Sequence, residues 1–321
     1  NAVRRSLLQG LVWSCAAPIE GSEHSGRGRW AVRFLVAHPA RQRIAPEPYP
    51  ETPIWSYDGI APGPVLRYRQ GDRLRVLVDN RLPLETTIHW HGIRLPNAMD
   101  GVPHVTQPPI APGGQFLYEF DLPDSGTYWY HPHARSHEQV ARGLYGALIV
   151  DERNPPPADR DVTWVLSDWR LTPDAAVRDD FDGLFDMAHA GRMGNTVTVN
   201  GRYTVKEGAF AVRSGERLRL RLINAAAARV FALRFEGHEP VVIATDGHAI
   251  EPHAAGTLVL GPGMRCDVML DCMGKPGSRH ALLDEYNPRV GPVNVIALHY
   301  SDEAPLRTRP LDAPVALPAP A

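Results

Sequence analysis

The sequence predicts an all-β protein built as two tandem Greek-key sandwiches or barrels, and three observations predict it. The chain carries 31 prolines and 28 glycines, which punctuate short runs rich in Val, Leu, Ile, Tyr and Trp, the pattern of strands joined by turns. Its 321 residues suit two domains of about 150 residues better than one. The chain also repeats itself: Arg69-Gln70-Gly71-Asp72-Arg73-Leu74-Arg75-Val76-Leu77-Val78-Asp79-Asn80 is matched by Arg213-Ser214-Gly215-Glu216-Arg217-Leu218-Arg219-Leu220-Arg221-Leu222-Ile223-Asn224, with Gly71 and Gly215 144 residues apart. That period exceeds any solenoid repeat, so each copy is a whole domain.

From the N-terminus, residues 1–30 read as a truncated export signal and tail. Arg4-Arg5-Ser6-Leu7-Leu8 before Leu11-Val12-Trp13 resembles a twin-arginine start, which predicts export to the periplasm. Cys15 follows in a poor lipoprotein context and is read as incidental. Residues 31–153 form the first domain. In its repeat copy a Gly turn precedes strict apolar–polar alternation, which predicts a half-buried strand with Leu74, Val76 and Val78 on one face. Asp151-Glu152-Arg153-Asn154-Pro155-Pro156-Pro157 is the predicted linker. Residues 158–303 form the second domain, whose Val199-Asn200-Gly201 echoes Tyr57-Asp58-Gly59 upstream of the first copy. Cys266 and Cys272 could pair but are read as buried thiols, the usual state of free cysteine. Residues 304–321, rich in Pro and Ala, predict an extended spacer leading to a further domain.

Composition removes several function classes. Hydrophobic residues at 43% and charged residues at 22% describe a packed globular chain and exclude disordered, collagen-like and coiled-coil proteins. Lys+Arg 34 against Asp+Glu 36 leaves a net charge of -2, with the basic residues scattered, so the footprint of a nucleic-acid binder is missing. No apolar run reaches the 18 or so residues of a membrane-spanning helix.

The chemistry lies in two histidine pairs, Thr87-Ile88-His89-Trp90-His91-Gly92 and Gly126-Thr127-Tyr128-Trp129-Tyr130-His131-Pro132-His133. On a strand, residues i and i+2 share a face, so each pair offers two imidazoles about 7 Å apart, able to hold one metal or two adjacent ones. Imidazole suits copper, zinc, iron and nickel alike. A single such pair is as readily a hydrogen-bonded core feature. The repeat sharpens the reading: a constant 144-residue offset puts Leu233 and Phe235 at the positions of His89 and His91, and about Leu283 and Glu285 at those of His131 and His133. If packing required imidazoles there, the twin would keep them.

These motifs, with Asp100-Gly101, Gln107, Pro109-Ile110-Ala111-Pro112-Gly113 and Gly143-Leu144-Tyr145-Gly146-Ala147-Leu148-Ile149-Val150, resemble the first cupredoxin domain of the multicopper oxidases. Val199-Asn200-Gly201, Asn224-Ala225, Ala244-Thr245-Asp246-Gly247 and Gly261-Pro262-Gly263-Met264-Arg265 look like the second, and the whole looks most like the bacterial periplasmic laccase and copper-resistance type. The resemblance implies two tandem cupredoxin-like domains and one-electron oxidation of a donor (a phenol, a cuprous or another metal ion) coupled to reduction of dioxygen to water at a trinuclear copper cluster. It implies His89 as ligand of the type 2 copper, His91 and His131 of one type 3 copper, and His133 of the other. Asp100 resembles the family's acid that assists proton delivery; a turn Asp before Gly101 is the plainer reading.

The chain departs from the family in one respect. The remaining cluster ligands and the type 1 copper of such oxidases sit in a last domain with His-x-x-His-x-His and His-Cys-His motifs, and neither motif occurs here. Cys266 and Cys272 have no adjacent histidine, so a blue-copper site is not expected in this chain. The expectation is therefore domains one and two of a three-domain oxidase, holding half the cluster ligands and inactive alone. His104 and His137 are candidates to orient the ligands, whereas His189, His238, His248, His253, His280 and His299 stand isolated in the sequence. Two other readings compete: a non-catalytic periplasmic copper-binding or copper-resistance protein using the same four histidines, and a copper-free cupredoxin scaffold. The intact pairs speak against the last.

Overall fold

The computed structural model describes residues 31–188, 191–204, 208–312 and 317. The predicted twin-arginine start, Cys15, His189 and most of the last nine residues lie outside them. The described residues are nearly all strand and turn, and two cupredoxin-like barrels follow one another. In the first, β1 (Arg33–Gln42), β2 (Thr52–Tyr57), β3 (Gly63–Arg69), β4 (Arg73–Asn80), β5 (His89–His91), β6 (Gln115–Asp121), β7 (Gly126–His131) and β8 (Gly146–Asp151) form two sheets, ordered β2-β1-β4-β6 and β3-β8-β7-β5, with a short helix α1 (Ser136–Gln139) after β7. The second comprises β9 (Arg160–Trp169), β10 (Thr196–Val199), β11 (Arg202–Tyr203), β12 (Ala209–Val212), β13 (Glu216–Asn224), β14 (Phe231–Phe235), β15 (Val241–Thr245), β16 (His248–Ala254), β17 (Leu258–Leu260), β18 (Arg265–Cys272), β19 (Arg279–Asp284) and β20 (Val293–Tyr300), with α2 (Leu184–Ala188) between β9 and β10. Its sheets run β11-β10-β9-β13-β18-β15-β16 and β12-β20-β19-β14-β17. No helix among the described residues is long and apolar enough to cross a membrane.

The repeat is structural down to its hydrogen bonds. Asp58 and Asn200 both adopt positive φ and accept a bond from the strand before them, from Val36 N and Val165 N, each 2.8 Å. At the end of β4, buried Asn80 donates to the carbonyls of Leu84 and Ile110 and accepts from Leu82 N. At the end of β13, Asn224 does the same to Arg229, Leu260 and Ala226 N. Replacing either asparagine by alanine strands several buried backbone groups, each worth about 1–3 kcal/mol. Urea unfolding of Asn80→Ala and Asn224→Ala should show similar losses of about 2–3 kcal/mol, and a loss in only one of them would separate the twins.

The strand pattern holds in β4, where Leu74, Val76 and Val78 fill the first core. It fails in β13. There Leu218, Leu220 and Leu222 face the second core as expected, but Arg217, Arg219 and Arg221 are buried too. Arg217 pairs with Asp271 inside the second barrel, whereas Arg219 and Arg221 lie in the seam between the barrels, where Arg219 bonds Glu152 and Asp267 at 2.7 Å and Arg221 grips both oxygens of Asp161 at 2.8 Å. Burial pushes the Glu152 carboxyl up, but Arg219 and Arg221 outweigh it and hold the group below its usual range. Glu152, read from sequence as linker, is thus a buried half of an ion pair. An apolar cluster closes the same seam, joining Ile54, Trp129, Tyr145 and Ile149 to Val165, Trp169, Leu171 and Ile223.

The first part of the segment read as an extended spacer is tied to the second barrel: Leu306 N bonds Ser214 O, Arg307 pairs with Asp159, and Arg217 donates to the carbonyls of Leu311 and Asp312. One further expectation is corrected. The constant offset of 144 breaks after Asn224. One extra residue lies between Asn224 and Leu233 compared with Asn80 and Ile88, seen where Asn80 bonds Leu84 O but Asn224 bonds Arg229 O, so Ile88 and Trp90 correspond to Leu233 and Phe235, all four facing a core. The true counterparts of His89 and His91 are Arg234 and Glu236. Pairing of His89 with His131 and of Arg234 with Leu283 fixes this alignment and leaves Leu283 and Glu285 opposite His131 and His133.

Candidate metal centre

The centre grows from the pairing of two strands. β5 and β7 run antiparallel with His89 opposite His131 and His91 opposite Trp129. Trp90 and Tyr130 point into the core and are fully buried. Because side chains alternate along a strand, His89, His91 and His131 emerge together on the other face.

Rings 89 and 91 are 5.5 Å apart centre to centre, 89 and 131 are 5.4 Å apart, and 91 and 131 are 5.5 Å apart. His133 lies 4.4 Å from His89 and 5.2 Å from His131. Nitrogen atoms of His89, His91 and His131 lie within 4.8 Å of one another. The structure therefore brings all four sequence-predicted histidines together. His131 is buried, His89 and His91 half-buried, and His133 exposed, so the cluster has one open side.

Hydrogen bonds orient the rings. His89 Nδ1 donates to the Asp100 carbonyl at 2.9 Å, and the Asp100 carboxylate lies 3.3 Å from the same nitrogen. Asp100 is held there by Gly101, whose φ of +77° brings it against the Ile88 carbonyl where a Cβ would stand 1.8 Å away. His131 Nδ1 donates to Pro132 O at 3.2 Å, so its Nε2 accepts from His91 Nδ1, also at 3.2 Å. This network assigns the tautomers and leaves Nε2 of His89 and His91 as lone-pair donors. Trp129 stacks on His131 at 4.0 Å and lies 5.0 Å from His91. Buried Thr87 accepts from His133 N.

Burial, then the Arg265 charge and the neighbouring imidazoles, lowers His91 to about 3. Burial and the other three histidines hold His131 well below its ordinary value, and burial with His89 lowers His133. All three are neutral at pH 7, the form that coordinates metal. The unfolded chain takes up protons at these positions below about pH 6.5 whereas the fold resists them. Stability from this source is thus complete above that pH and falls as pH drops toward the folded values. Denaturant midpoints at pH 7.5 and 5.0 should fall more in the native chain than in a His91→Gln/His131→Gln variant; equal slopes would refute the assignment.

The remaining candidates separate. His104 and His137 are exposed, 4.0 Å from Glu85 and Asp182 respectively, and touch none of the four; the orienting contacts come from Asp100, Pro132 and Thr87 instead. Cys266 and Cys272 are free and buried, with burial pushing each thiol up to about 12. Six residues apart on β18, they are about 20 Å from one another, far beyond disulfide reach. Sequence reasoning missed the meeting of His238 with His280, whose rings are 5.0 Å apart beside Tyr300, because no local motif links positions so far apart. It also missed Arg265 beside the cluster.

Comparison with known proteins identifies the family. Multicopper oxidase family models match residues 39–155 and 160–302. The chain is 35% identical over 277 residues to the multicopper oxidase MmcO of Mycobacterium tuberculosis, covering 78% of this chain and 53% of that protein. It is 33% identical to copper resistance protein A of Escherichia coli, covering 68% of this chain and 43% of that one. The chain thus spans about half the length of these curated relatives. Among solved structures, a multicopper oxidase from Pseudomonas thermotolerans superposes with a TM-score of 0.80 at 38% identity, covering 90% of this chain and 67% of that one.

Proposed function

The chain belongs to the multicopper oxidase family, and from that premise we propose that it is the part of an exported, laccase-like oxidase that supplies half the ligands of a trinuclear copper cluster. The observation that carries this reading is the convergence of four imidazoles, three of them held neutral, on one face with one side open. Such a donor set fits copper. Bound copper would supply one-electron redox chemistry, passing electrons from a donor such as a phenol or a cuprous ion to dioxygen.

In this reading His89 would hold the type 2 ion, His91 and His131 one type 3 ion and His133 the other. The Asp100 carbonyl fixes the His89 ring, and its carboxylate, 3.3 Å from Nδ1, is placed to hold a proton beside the cluster. Trp129, stacked on His131, keeps water from that flank. The open side at His133 is where a further cupredoxin domain would complete the ligand set and bring the type 1 copper, for which the buried Cys266 and Cys272 offer no histidine-flanked thiolate. The periplasm is the proposed compartment.

Copper(II) loading of the purified chain at pH 7, compared with a variant in which all four histidines are alanine, tests the reading. Excess bound copper on the native chain is expected, with no phenol oxidation by this portion alone; equal copper on both would overturn it. The similarity to a copper resistance protein favours a second reading, copper sequestration without catalysis. The length of the natural open reading frame separates the two.

A further inference from the structure

We propose that Arg265, contributed by the second barrel, is a positioning residue for the histidine cluster of the first, fixing His91 and the strand that carries His131. β5 is three residues long and lies at the edge of its sheet. A short edge strand has neighbours on one side only, and its end frays unless something covers it. The chain leaves β5 immediately after His91, at Gly92. Arg265 covers that point: a Cβ on Gly92 would stand 2.0 Å from one guanidinium nitrogen of Arg265 and 2.9 Å from its central carbon. Only a glycine permits so close an approach.

The same guanidinium is tied to the second histidine strand. Arg265 Nε donates to the carbonyl of Thr127, on β7 four residues before His131, at 3.2 Å. Its other nitrogens donate to Gly263 O at 3.1 Å and to Asp246 O at 2.9 Å, with the Asp246 carboxylate at 3.2 Å. One planar, buried fork therefore packs on the exit from β5 and bonds to β7. The turn before it also bears on the imidazole: a Cβ at Gly263 would lie 3.2 Å from His91 Cε1. His91 is thus bounded by Trp129 on one side and the second barrel on another. A barrel without the histidine pairs still shapes the cluster.

The test compares Arg265→Gln with Arg217→Ala, which removes another buried guanidinium of the second barrel, bonded to Asp271 and the 311–312 backbone. Imidazole 15N–1H spectra of the metal-free chain report the His91–His131 hydrogen bond directly, and copper(II) titration reports the assembled cluster. Arg265→Gln should shift or broaden the His91 and His131 signals and weaken copper binding about tenfold or more, the usual effect of losing a group that orients a ligand. Arg217→Ala should leave both unchanged even where it lowers the melting temperature. Should Arg265→Gln not fold, Asp246→Asn loosens the same fork from the surface and should give a smaller change in the same direction. Unaltered imidazole spectra with copper affinity within twofold of the native chain, or equal changes in Arg217→Ala, would overturn the proposal. The copper arm rests on the function proposed above, but the imidazole arm does not: a native chain that binds no copper refutes that function and leaves the spectra to decide on Arg265.

Discussion

Replacing His131 by alanine is expected to weaken copper(II) binding at pH 7 by about a hundredfold or more. Losing a group that merely orients a ligand costs about 10–100-fold, and His131 stands at the centre of the cluster. It is the buried member of the four, 5.2 to 5.5 Å from each of the other three rings, and Trp129 is stacked on it. Alanine also frees the His91 Nδ1 bond and lets that ring turn. His104→Ala, an exposed imidazole outside the cluster, is the matched control and should bind as the native chain does. A competition titration showing less than a threefold loss in His131→Ala would place the copper elsewhere.

The second large effect is on stability. Arg219→Met should cost about 3–5 kcal/mol in urea unfolding, because it leaves Glu152 and Asp267 buried with a missing partner. A buried ion pair is by itself weak evidence of net stabilisation, since desolvation offsets much of the attraction. The loss of one partner is the expensive event. Arg221 shares Asp267 and compensates only in part, its bonds being committed to Asp161 and to Thr127 across the seam. A loss below about 1 kcal/mol, in the range of a surface pair, would show that water reaches the network.

Much of this was legible in the sequence for local reasons. Turn glycines, alternating strands and the paired Asp58-Gly59 and Asn200-Gly201 turns are written in neighbouring residues, and so is the shared face of His89 with His91. What escaped was set by distant residues. The Arg-Leu alternation of β13 has the look of a strand with one wet face, and only the arrival of Asp271 at Arg217, and of Glu152, Asp161 and Asp267 at Arg219 and Arg221, makes three buried arginines tolerable. The same holds for Arg265, whose partner strands lie in the other barrel. The mismatch at Leu233 and Phe235 has a different origin: one extra residue just after Asn224 turns every following side chain to the opposite face, and alternation alone does not reveal it.

That single added residue has an architectural consequence. On the second barrel, the four positions matching the histidines carry Arg234, Glu236, Leu283 and Glu285, none of them buried, while Phe235 and Leu282 beside them stay in the core. Scaffold and chemistry are therefore written on opposite faces of the same two strands. A duplicated barrel can gain or shed an imidazole nest by exchanging outward residues alone, so ancestry leaves the chassis common to both copies while the metal chemistry of each is free to diverge.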